Sequence, residues 1–375
     1  MGDNGLSIGD VVDFFESRYP PELAESWDAV GLSCGDRGDP VTRVLFAVDP
    51  SDAVVDEALV YGADLIVTHH PLMLRGVTGV AADTPKGRVV HRLIKAGCAL
   101  FTAHTNADRA RDGVNDALAD ALGLLNLRPL DPADGTRLEK VITFVPYSDA
   151  QRVIDALAQA GAGALGHYSR CAFTSAGVGT FLPGAQANPA IGIRGQVETV
   201  DEQRIEMVYP PGVRTEIVRA LRAAHPYEEP AFDLFAMVPL PSDQGLGRVG
   251  TVDHPVPLSE FARRVASALP RSKAGIRTAG ALTAQVSTVA VLGGSGDSHL
   301  EYAQRSGADV YVTADLRHHP VSEHLAAGGP AVIDGGHWST EWPWLPVAQR
   351  LLTEAFPQLS THVSTLCTDP WTAFG

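Results

Sequence analysis

Residues 41–70, VTRVLFAVDPSDAVVDEALVYGADLIVTHH, recur without a gap at residues 286–315, VSTVAVLGGSGDSHLEYAQRSGADVYVTAD. Nine of the thirty paired positions are identical. The first copy ends on His69 and His70 and the second on Asp315, and all three are side chains that bind metals. The match indicates a duplicated half-domain, and we expect the two copies to face each other across a pseudo-twofold axis.

The match resumes further along each copy. His104 and Asp108, four residues apart, correspond to His337 and Glu341, which have the same spacing. If a helix begins near His337, this spacing places both of its polar side chains on one face. Each copy therefore contributes a histidine and an acid that the duplication would bring to the seam.

Short apolar runs alternate with amphipathic stretches in both copies, which predicts strands and helices in turn. Continuous apolar runs are typical of parallel strands buried on both faces, so we expect an α/β fold. The first copy has strands at 44–48, 65–68 and 99–103 and helices at 53–61 and 89–96, and the second repeats this rhythm from 286 to 334.

The stretch between the copies has a different order of elements. It begins after a turn-rich segment at 129–135 and reads as strand, helix, two strands, helix and strand, which is the ferredoxin-like order. The sequence therefore predicts the first half of a metal-binding α/β domain at 1–128, a ferredoxin-like insert domain at 129–247, and the second half of the α/β domain at 248–375.

The composition is that of an acidic globular protein. The chain has 375 residues, 45% of them hydrophobic, and a formal net charge of −15. This charge argues against nonspecific nucleic-acid binding, and no apolar stretch approaches the ~20 residues that cross a bilayer. The four cysteines lie far apart, and the amino terminus has no basic and apolar leader. We therefore expect a cytoplasmic protein with neither a membrane nor a nucleic-acid partner.

The candidate ligands follow predicted strands, and ligands of open parallel sheets bind beyond the carboxyl ends of strands. Imidazoles with carboxylates suit zinc, iron, manganese or cobalt, and five such side chains are more than one tetrahedral ion uses. A pair of ions about 3.5 to 4 Å apart, bridged by a carboxylate, would use them all. We predict two divalent metal ions held by five or six of the side chains at these strand ends, which are His69, His70, His104, Asn106, Asp108, His337 and Glu341.

Each of these residues also has an ordinary structural interpretation. A histidine at a strand end commonly makes only a hydrogen bond, Asp108 could cap the helix after it, and Glu341 could be a solvated helix residue. Their joint occurrence at equivalent strand ends favours a metal site.

The motifs around these residues resemble those of the Nif-three-like proteins, which are named type 2 homologues of GTP cyclohydrolase I. The resemblance covers both outer parts of the chain and rests on Trp27-Asp28 with Val30-Gly31-Leu32, His69-His70-Pro71-Leu72, His104-Thr105-Asn106 with Asp108 and Gly113-Val114-Asn115-Asp116, Thr313 and Asp315 with His319, and His337 with Glu341. The insert resembles the CutA- or PII-like domain of the longer members through the HPYEEPA stretch, residues 225–231. Ala29 and Ala314 depart from the usual asparagine and glycine, and neither change removes a ligand.

The resemblance implies a dinuclear metal centre in a toroidal homohexamer. Matched residue by residue, one ion would be held by His69, Asp108 and Glu341, and the other by His70, His337 and Glu341. Glu341 would then bridge the two ions.

Hydrolysis is the expected reaction class, because a metal pair lowers the pKa of bound water towards ~7. His104, Asp315 and His319 are the candidates for proton transfer or for orienting the ligands, and the alternative for each is a residue that only fixes a loop.

Two functions remain open from the sequence. The first is a metal-dependent hydrolase of a nucleotide or related heterocycle, such as one that opens the ring of GTP. The second is a non-catalytic metal-binding or regulatory hexamer whose insert domain binds a small molecule or a protein partner.

Three further features each have two interpretations. The turn at Gly293–Gly296 could be a phosphate cradle or a tight turn. Three arginines could contact an anionic substrate or be surface residues: Arg75, Arg109 and Arg317. A binding loop or a simple turn could be formed by His225, Tyr227, Glu228 and Glu229.

Overall fold

The computed structural model describes residues 5–135 and 137–373. The chain divides into two compact units, Met1–Ala133 with Asp243–Gly375, and Asp134–Ser242. Helices and sheets are mixed throughout, which confirms the α/β class. That the second unit is an insert domain with the predicted boundaries stays a prediction.

The helices and strands follow one another in three stretches. The first stretch contains α1 (Ile8–Arg18), β1 (Gly31–Cys34), β2 (Arg43–Ala47), α2 (Asp52–Tyr61), β3 (Leu65–Thr68), α3 (Pro85–Ala96), β4 (Ala99–Thr102), α4 (Thr105–Arg109), α5 (Val114–Ala121) and β5 (Leu125–Asp134). The second contains β6 (Glu139–Pro146), α6 (Ala150–Gln159), β7 (Phe173–Phe181), β8 (Glu198–Tyr209), α7 (Arg214–Ala224) and β9 (Phe232–Ala236). The third contains β10 (Pro241–Pro257), α8 (Leu258–Ala268), β11 (Arg277–Ala279), β12 (Gln285–Ser295), α9 (Leu300–Arg305), β13 (Val310–Ala314), α10 (His318–Ala326), β14 (Ala331–Asp334), α11 (His337–Glu341), α12 (Trp344–Ala355) and β15 (Ser360–Val363).

The first unit contains two sheets of the same design. One has the strand order β1-β4-β3-β2-β15 and the other β11-β14-β13-β12-β10-β5. In each, three consecutive strands, β2-β3-β4 or β12-β13-β14, pair in parallel, and an antiparallel strand, β1 or β11, borders the last of them. Every residue of β3, β4 and β13 is buried, as expected for parallel strands in an α/β fold.

Identical residues of the two copies make identical contacts. Asp64 accepts hydrogen bonds from the backbone N–H groups of residues 42 and 43 at the start of β2, at 2.7 and 2.9 Å. Asp309 accepts the same pair from residues 287 and 288 at the start of β12, both at 2.8 Å. Gly62 and Gly307 have φ of 72° and 77°, which only glycine adopts without strain. These paired contacts support the duplication inferred from the sequence.

The two halves exchange their last elements. β15, from the second half, pairs with β2 at the edge of the first sheet, whereas β5, from the first half, lies at the edge of the second sheet beside β10. The helix before each exchanged strand packs against the same sheet as that strand. Trp344 of α12 packs with Phe15 and Phe46 in the core of the first sheet, and Leu118 of α5 packs with Phe261 in the core of the second.

The second unit is a four-stranded antiparallel sheet in the order β7-β8-β6-β9. Its connectivity, β-α-β-β-α-β, is that predicted for the middle of the chain. Alternate residues of β6 and β8, such as Val145 and Ile205, pack with Ile154 of α6 and Leu221 of α7. One face of the sheet is therefore covered by the two helices.

Two predicted connections are strands in the structure. The turn-rich segment at 129–135 lies largely within β5, and the expected closing connection at 239–247 lies largely within β10. Pro129 and Pro132 are tolerated because β5 is an edge strand, where a missing N–H breaks no ladder. Within the described residues, none of the helices combines the length and apolarity that crossing a bilayer requires.

Candidate metal centre

β3 delivers two adjacent histidines to its carboxyl end. The backbone N–H groups of His69 and His70 donate to the carbonyl oxygens of Ala47 and Val48, which continues the parallel pairing of β3 with β2. Pro71 then ends the strand, since it has no N–H to donate. The side chain of His69 is buried, and that of His70 lies at the surface of the cluster described next.

α4 and α11 each present a histidine and an acid. His104 precedes α4, which contains Asp108, and His337 and Glu341 are the first and last residues of α11. His337 Nε2 lies 3.0 Å from Glu341 Oε1. The helix predicted at His337 is confirmed, and its polar pair lies on one face.

Glu341 lies between the other predicted ligands. Its Oε1 is 3.5 Å from His69 Nε2, and its Oε2 is 3.2 Å from His70 Nε2. Asp108 Oδ1 is 3.8 Å from His69 Nε2. The carboxylate of Glu341 thus faces the nitrogen atoms of both predicted ligand sets.

Two groups of side chains could each hold a metal ion. Their ligand atoms lie within 4.8 Å of one another, and the groups are His69-His70-His104 and His70-His337-Glu341. His104 therefore belongs to the same cluster as the predicted ligands, although the sequence suggested a catalytic role for it.

All four histidines are oriented through Nδ1. Three of them donate to carboxylates at 2.7 Å: His70 to Asp49, His104 to Asp28 and His337 to Asp315. His69 donates to the carbonyl oxygen of Ala103 at 3.0 Å. With its proton on Nδ1, each ring has a lone pair on Nε2, which is the tautomer that a metal ligand needs.

Three polar atoms at the centre are buried without a hydrogen bond: His69 Nε2, Asp108 Oδ1 and Glu341 Oε2. Burying such atoms unpaired costs free energy, and native proteins avoid it unless an ion or water satisfies them. Bound cations would satisfy these atoms, so the residues present fit a metal.

The acids also perturb the histidines. The negative charge of Glu341 raises the pKa of His337 to about 11, against the opposing effect of burial. Burial lowers the pKa of His70, but the charge of Glu341 and the hydrogen bond to Asp49 outweigh it and raise the pKa to about 10. Burial disfavours ionised Glu341, yet the charges of His70 and His337 hold its pKa well below the usual range. The cluster therefore requires positive charge, from protons or from a metal.

Gly294 leaves room for this cluster. A Cβ at this position would lie 2.2 Å from Glu341 Oε1 and 3.2 Å from His337 Nε2, and its φ is 68°. Next to it, the N–H of Gly293 donates to Asn115 Oδ1 at 2.9 Å. The glycine-rich turn, which the sequence left as a phosphate cradle or a tight turn, thus packs directly against the predicted ligands.

Two clefts reach the cluster, and both include His70 and His337. One, of about 760 Å³, is also lined by Trp27, Lys86 and Ser298. The other, of about 720 Å³, is also lined by Asp49, Asp315, Arg277 and Trp371. Both have the size of small-molecule sites.

The other predicted catalytic residues have different surroundings. Asp315 has a positive φ of 56° and holds His337, so it lies beside the cluster. His319 is exposed on α10, with its ring against His318, and it belongs to neither of the metal-binding groups found among the described residues. Arg109 pairs with Glu25 and Arg317 with Asp297, both at 2.5 Å, and Arg75 is exposed.

Sequence reasoning missed the roles of Asp49 and Asp28. Asp49 lies two residues beyond the end of β2, as His70 lies two residues beyond the end of β3, so its position was an available signal. Asp28 was visible only as part of the Trp27-Asp28 motif. Burial disfavours the ionised form of Asp28, but hydrogen bonds from His104 and Thr105 outweigh it and lower the pKa of this carboxyl.

Known proteins similar to this chain share its full length. Proteins named "GTP cyclohydrolase 1 type 2 homolog" are 51% identical in Mycobacterium tuberculosis, over 98% of this chain and 97% of that protein, and 37% identical in Bacillus subtilis, over 96% and 92%. Among solved structures, Staphylococcus aureus protein SA1388 has a TM-score of 0.82 at 30% identity, covering 100% of both chains. The Bacillus cereus protein related to NIF3 has a TM-score of 0.69 at 37% identity, covering 98% of this chain and 99% of that one.

A family model described as Duf34/NIF3 (NGG1p interacting factor 3) matches residues 6–370, nearly the whole chain. The resemblance inferred from the sequence motifs is thereby confirmed, and this protein belongs to the Duf34/NIF3 family.

Proposed function

We propose that this protein is a dinuclear metal-dependent hydrolase that acts on a nucleotide or a related heterocycle. The observation that carries the proposal is the convergence of four imidazoles, each held through Nδ1, on the carboxylates of Asp108 and Glu341, each of which has a buried oxygen without a hydrogen bond. The name shared by the relatives, GTP cyclohydrolase 1 type 2 homolog, supports the substrate class.

One ion would be held by His69, Asp108 and Glu341, and the other by His70, His337 and Glu341. The distances from Glu341 to His69, His70 and His337, between 3.0 and 3.5 Å, support its role as the shared ligand. Zinc, iron, manganese and cobalt all suit this set of donors. Bound metals of this kind polarise an oxygen of the substrate and lower the pKa of water.

The remaining predicted residues would orient ligands and move protons. Asp315 fixes the ring of His337, and His104 Nε2 would accept or return a proton beside His69 and His70. His319 would act only on substrate that extends along the exposed start of α10.

The cleft that contains Trp27 and Lys86 would bind the substrate. Trp27 is 58% exposed and offers a ring for stacking, while Lys86 and Ser298 suit an anionic group. We also propose that the protein assembles as a homohexamer in the cytoplasm, as the family resemblance implies.

Turnover of metal-loaded protein on a panel of nucleotides and heterocycles that includes GTP tests the hydrolase. We expect turnover that is lost on chelation and in His70→Ala, because this substitution removes a ligand. His254→Ala, at an exposed histidine of the same unit, should retain it.

Metal content should be measured on the same samples, with two ions per chain expected. Turnover that survives both chelation and His70→Ala would refute the hydrolase. No turnover on a broad panel, with two ions tightly bound, would favour the alternative of a non-catalytic metal-binding or regulatory hexamer.

A further inference from the structure

The second unit contains a cavity of about 600 Å³ on one face of its sheet. Phe144 and Arg204, which are cross-strand neighbours in β6 and β8, line it. The residues next to them, Val145 and Ile205, point to the opposite face and pack with α6 and α7. The cavity therefore lies on the face that the helices leave uncovered, beneath the segment 183–191.

Three aromatic rings line the cavity. The rings of Phe181 and Tyr227 have centroids 5.8 Å apart, and Phe144 contributes a third ring. Such rings bind apolar groups, and their faces attract cations.

A buried carboxylate lies in this wall. Glu202 is 7% exposed, and its Oε1 accepts a hydrogen bond from the Tyr227 hydroxyl at 2.8 Å. Its Oε2 lies against the backbone of β7, where a Cβ on Gly179 would be only 2.2 Å away. The glycine thus allows the carboxylate to lie close to the strand.

The carboxylate of Glu202 forms no ion pair among the described residues, although Arg204 lies on the same face of the sheet and also lines the cavity. Lys140 is the only cationic side chain of β6 and Arg204 the only one of β8, and both pair with Glu206, each at 2.9 Å. Two further carboxylates, of Glu228 and Glu229, lie at the cavity. Within the described part of the chain, the Tyr227 hydroxyl is the hydrogen-bond partner of this carboxylate, and a cation in the cavity would offset the cost of burying an anion there.

His225 positions the aromatic wall. Its Nε2–H donates to the carbonyl oxygen of Phe144 at 3.0 Å, and its Nδ1 accepts from the backbone N–H of Tyr227 at 3.1 Å. Burial lowers the pKa of His225, which agrees with the neutral ring that these two bonds need. The HPYEEPA stretch therefore forms a fixed turn that presents Tyr227 and two acids to one cavity.

We propose that this cavity binds a small organic cation, with a primary ammonium on Glu202 and an apolar body against the three rings. The residues that line the cavity all belong to the second unit, whereas the predicted metal ligands all belong to the first, so the proposal gives the second unit a ligand of its own. A volume of about 600 Å³ suits a ligand of this size.

Calorimetry on the full-length, metal-loaded protein tests the proposal with phenethylammonium as the probe. We expect phenethylammonium to bind, while 2-phenylethanol and phenylacetate, which share its ring, bind at least about tenfold more weakly because neither can pair with a carboxylate through a positive charge. Glu202→Gln should lower the affinity for phenethylammonium by about tenfold or more. Glu216→Gln, at an exposed glutamate of α7, should leave it unchanged.

Amines also bind metals, so the same titration on His70→Ala separates the two sites. Unchanged affinity in His70→Ala supports the cavity, and its loss there would overturn the proposal. Equal binding of the neutral or anionic probe by the unaltered protein would also overturn it. That comparison needs no variant, so it decides the question even if Glu202→Gln fails to fold.

Discussion

The two halves of the first unit share a backbone plan but differ in the side chains at their strand ends. β3 ends on His69 and His70, two direct ligand candidates, whereas β13 ends on Ala314 and Asp315. Asp315 instead orients His337, which comes from the next strand end of its own half. The first half thus contributes three of the five predicted ligands, and the second contributes His337 and Glu341.

This difference indicates that equivalent positions in the two copies are retained, while the residues at those positions make different contributions to the predicted site. His104 and His337 are equivalent, and each donates its Nδ1–H to an aspartate at 2.7 Å. Asp28, which holds His104, lies outside the repeated segment, whereas Asp315, which holds His337, lies inside it at the position of His70. The two equivalent histidine rings are therefore oriented by aspartates from two different parts of the chain.

The largest effect should come from the shared carboxylate. We expect Glu341→Gln to reduce both ions to background in metal analysis, since this side chain faces both ligand sets. Glu323→Gln, at an exposed position of α10, is the matched control. Retention of one full ion in Glu341→Gln would show that the halves bind metal independently.

Gly294→Ala tests the space beside the cluster. We expect loss of metal, because the new methyl group would meet Glu341 Oε1. Gly307→Ala has similar backbone strain, with a φ of 77°, but no atom within 4 Å of its Cβ. It should lower the free energy of unfolding by ~1–2 kcal/mol and keep the metal. Equal metal loss in both variants would assign the effect to strain alone.

The aspartates that orient equivalent histidines should differ in importance. Asp315→Asn should weaken metal binding about 10–100-fold, the usual cost of losing a carboxylate behind a histidine ligand. Asp28→Asn should have a smaller effect if His104 moves protons rather than binding metal. Competition titrations with a chelator measure both, and equal losses would make His104 a ligand.

The smallest effect should come from Thr368, whose hydroxyl donates to Asp49 behind His70. We expect Thr368→Val to weaken metal binding roughly fivefold, since one hydrogen bond contributes about 1 kcal/mol. Thr353→Val, at an exposed threonine of α12, should have no effect on metal affinity. A loss in Thr368→Val as large as in Asp315→Asn would contradict this order.

The sequence predicted the elements that periodicity and buried apolar runs define, including the parallel strands β2, β3, β12 and β13 and the polar pair on α11. It did not predict β5 and β10, because proline and glycine were interpreted as turns where edge strands tolerate them. The positions of His69, His104 and Glu341 relative to each other follow from strand order, so they could be inferred. The contact of Thr368 with Asp49 joins residues 319 positions apart, and local pattern carries no information about it.

The exchange of β5 and β15 between the sheets has a consequence for the origin of the fold. Without the other half, the first sheet would lack the edge strand β15 and the core helix α12, and the second would lack β5 and α5. An unfused ancestor with this architecture would have been an intertwined dimer, with the predicted ligands at the subunit boundary. Gene fusion would then have joined two subunits that already shared strands and helices. The residues at the strand ends of one copy could afterwards change independently of those in the other.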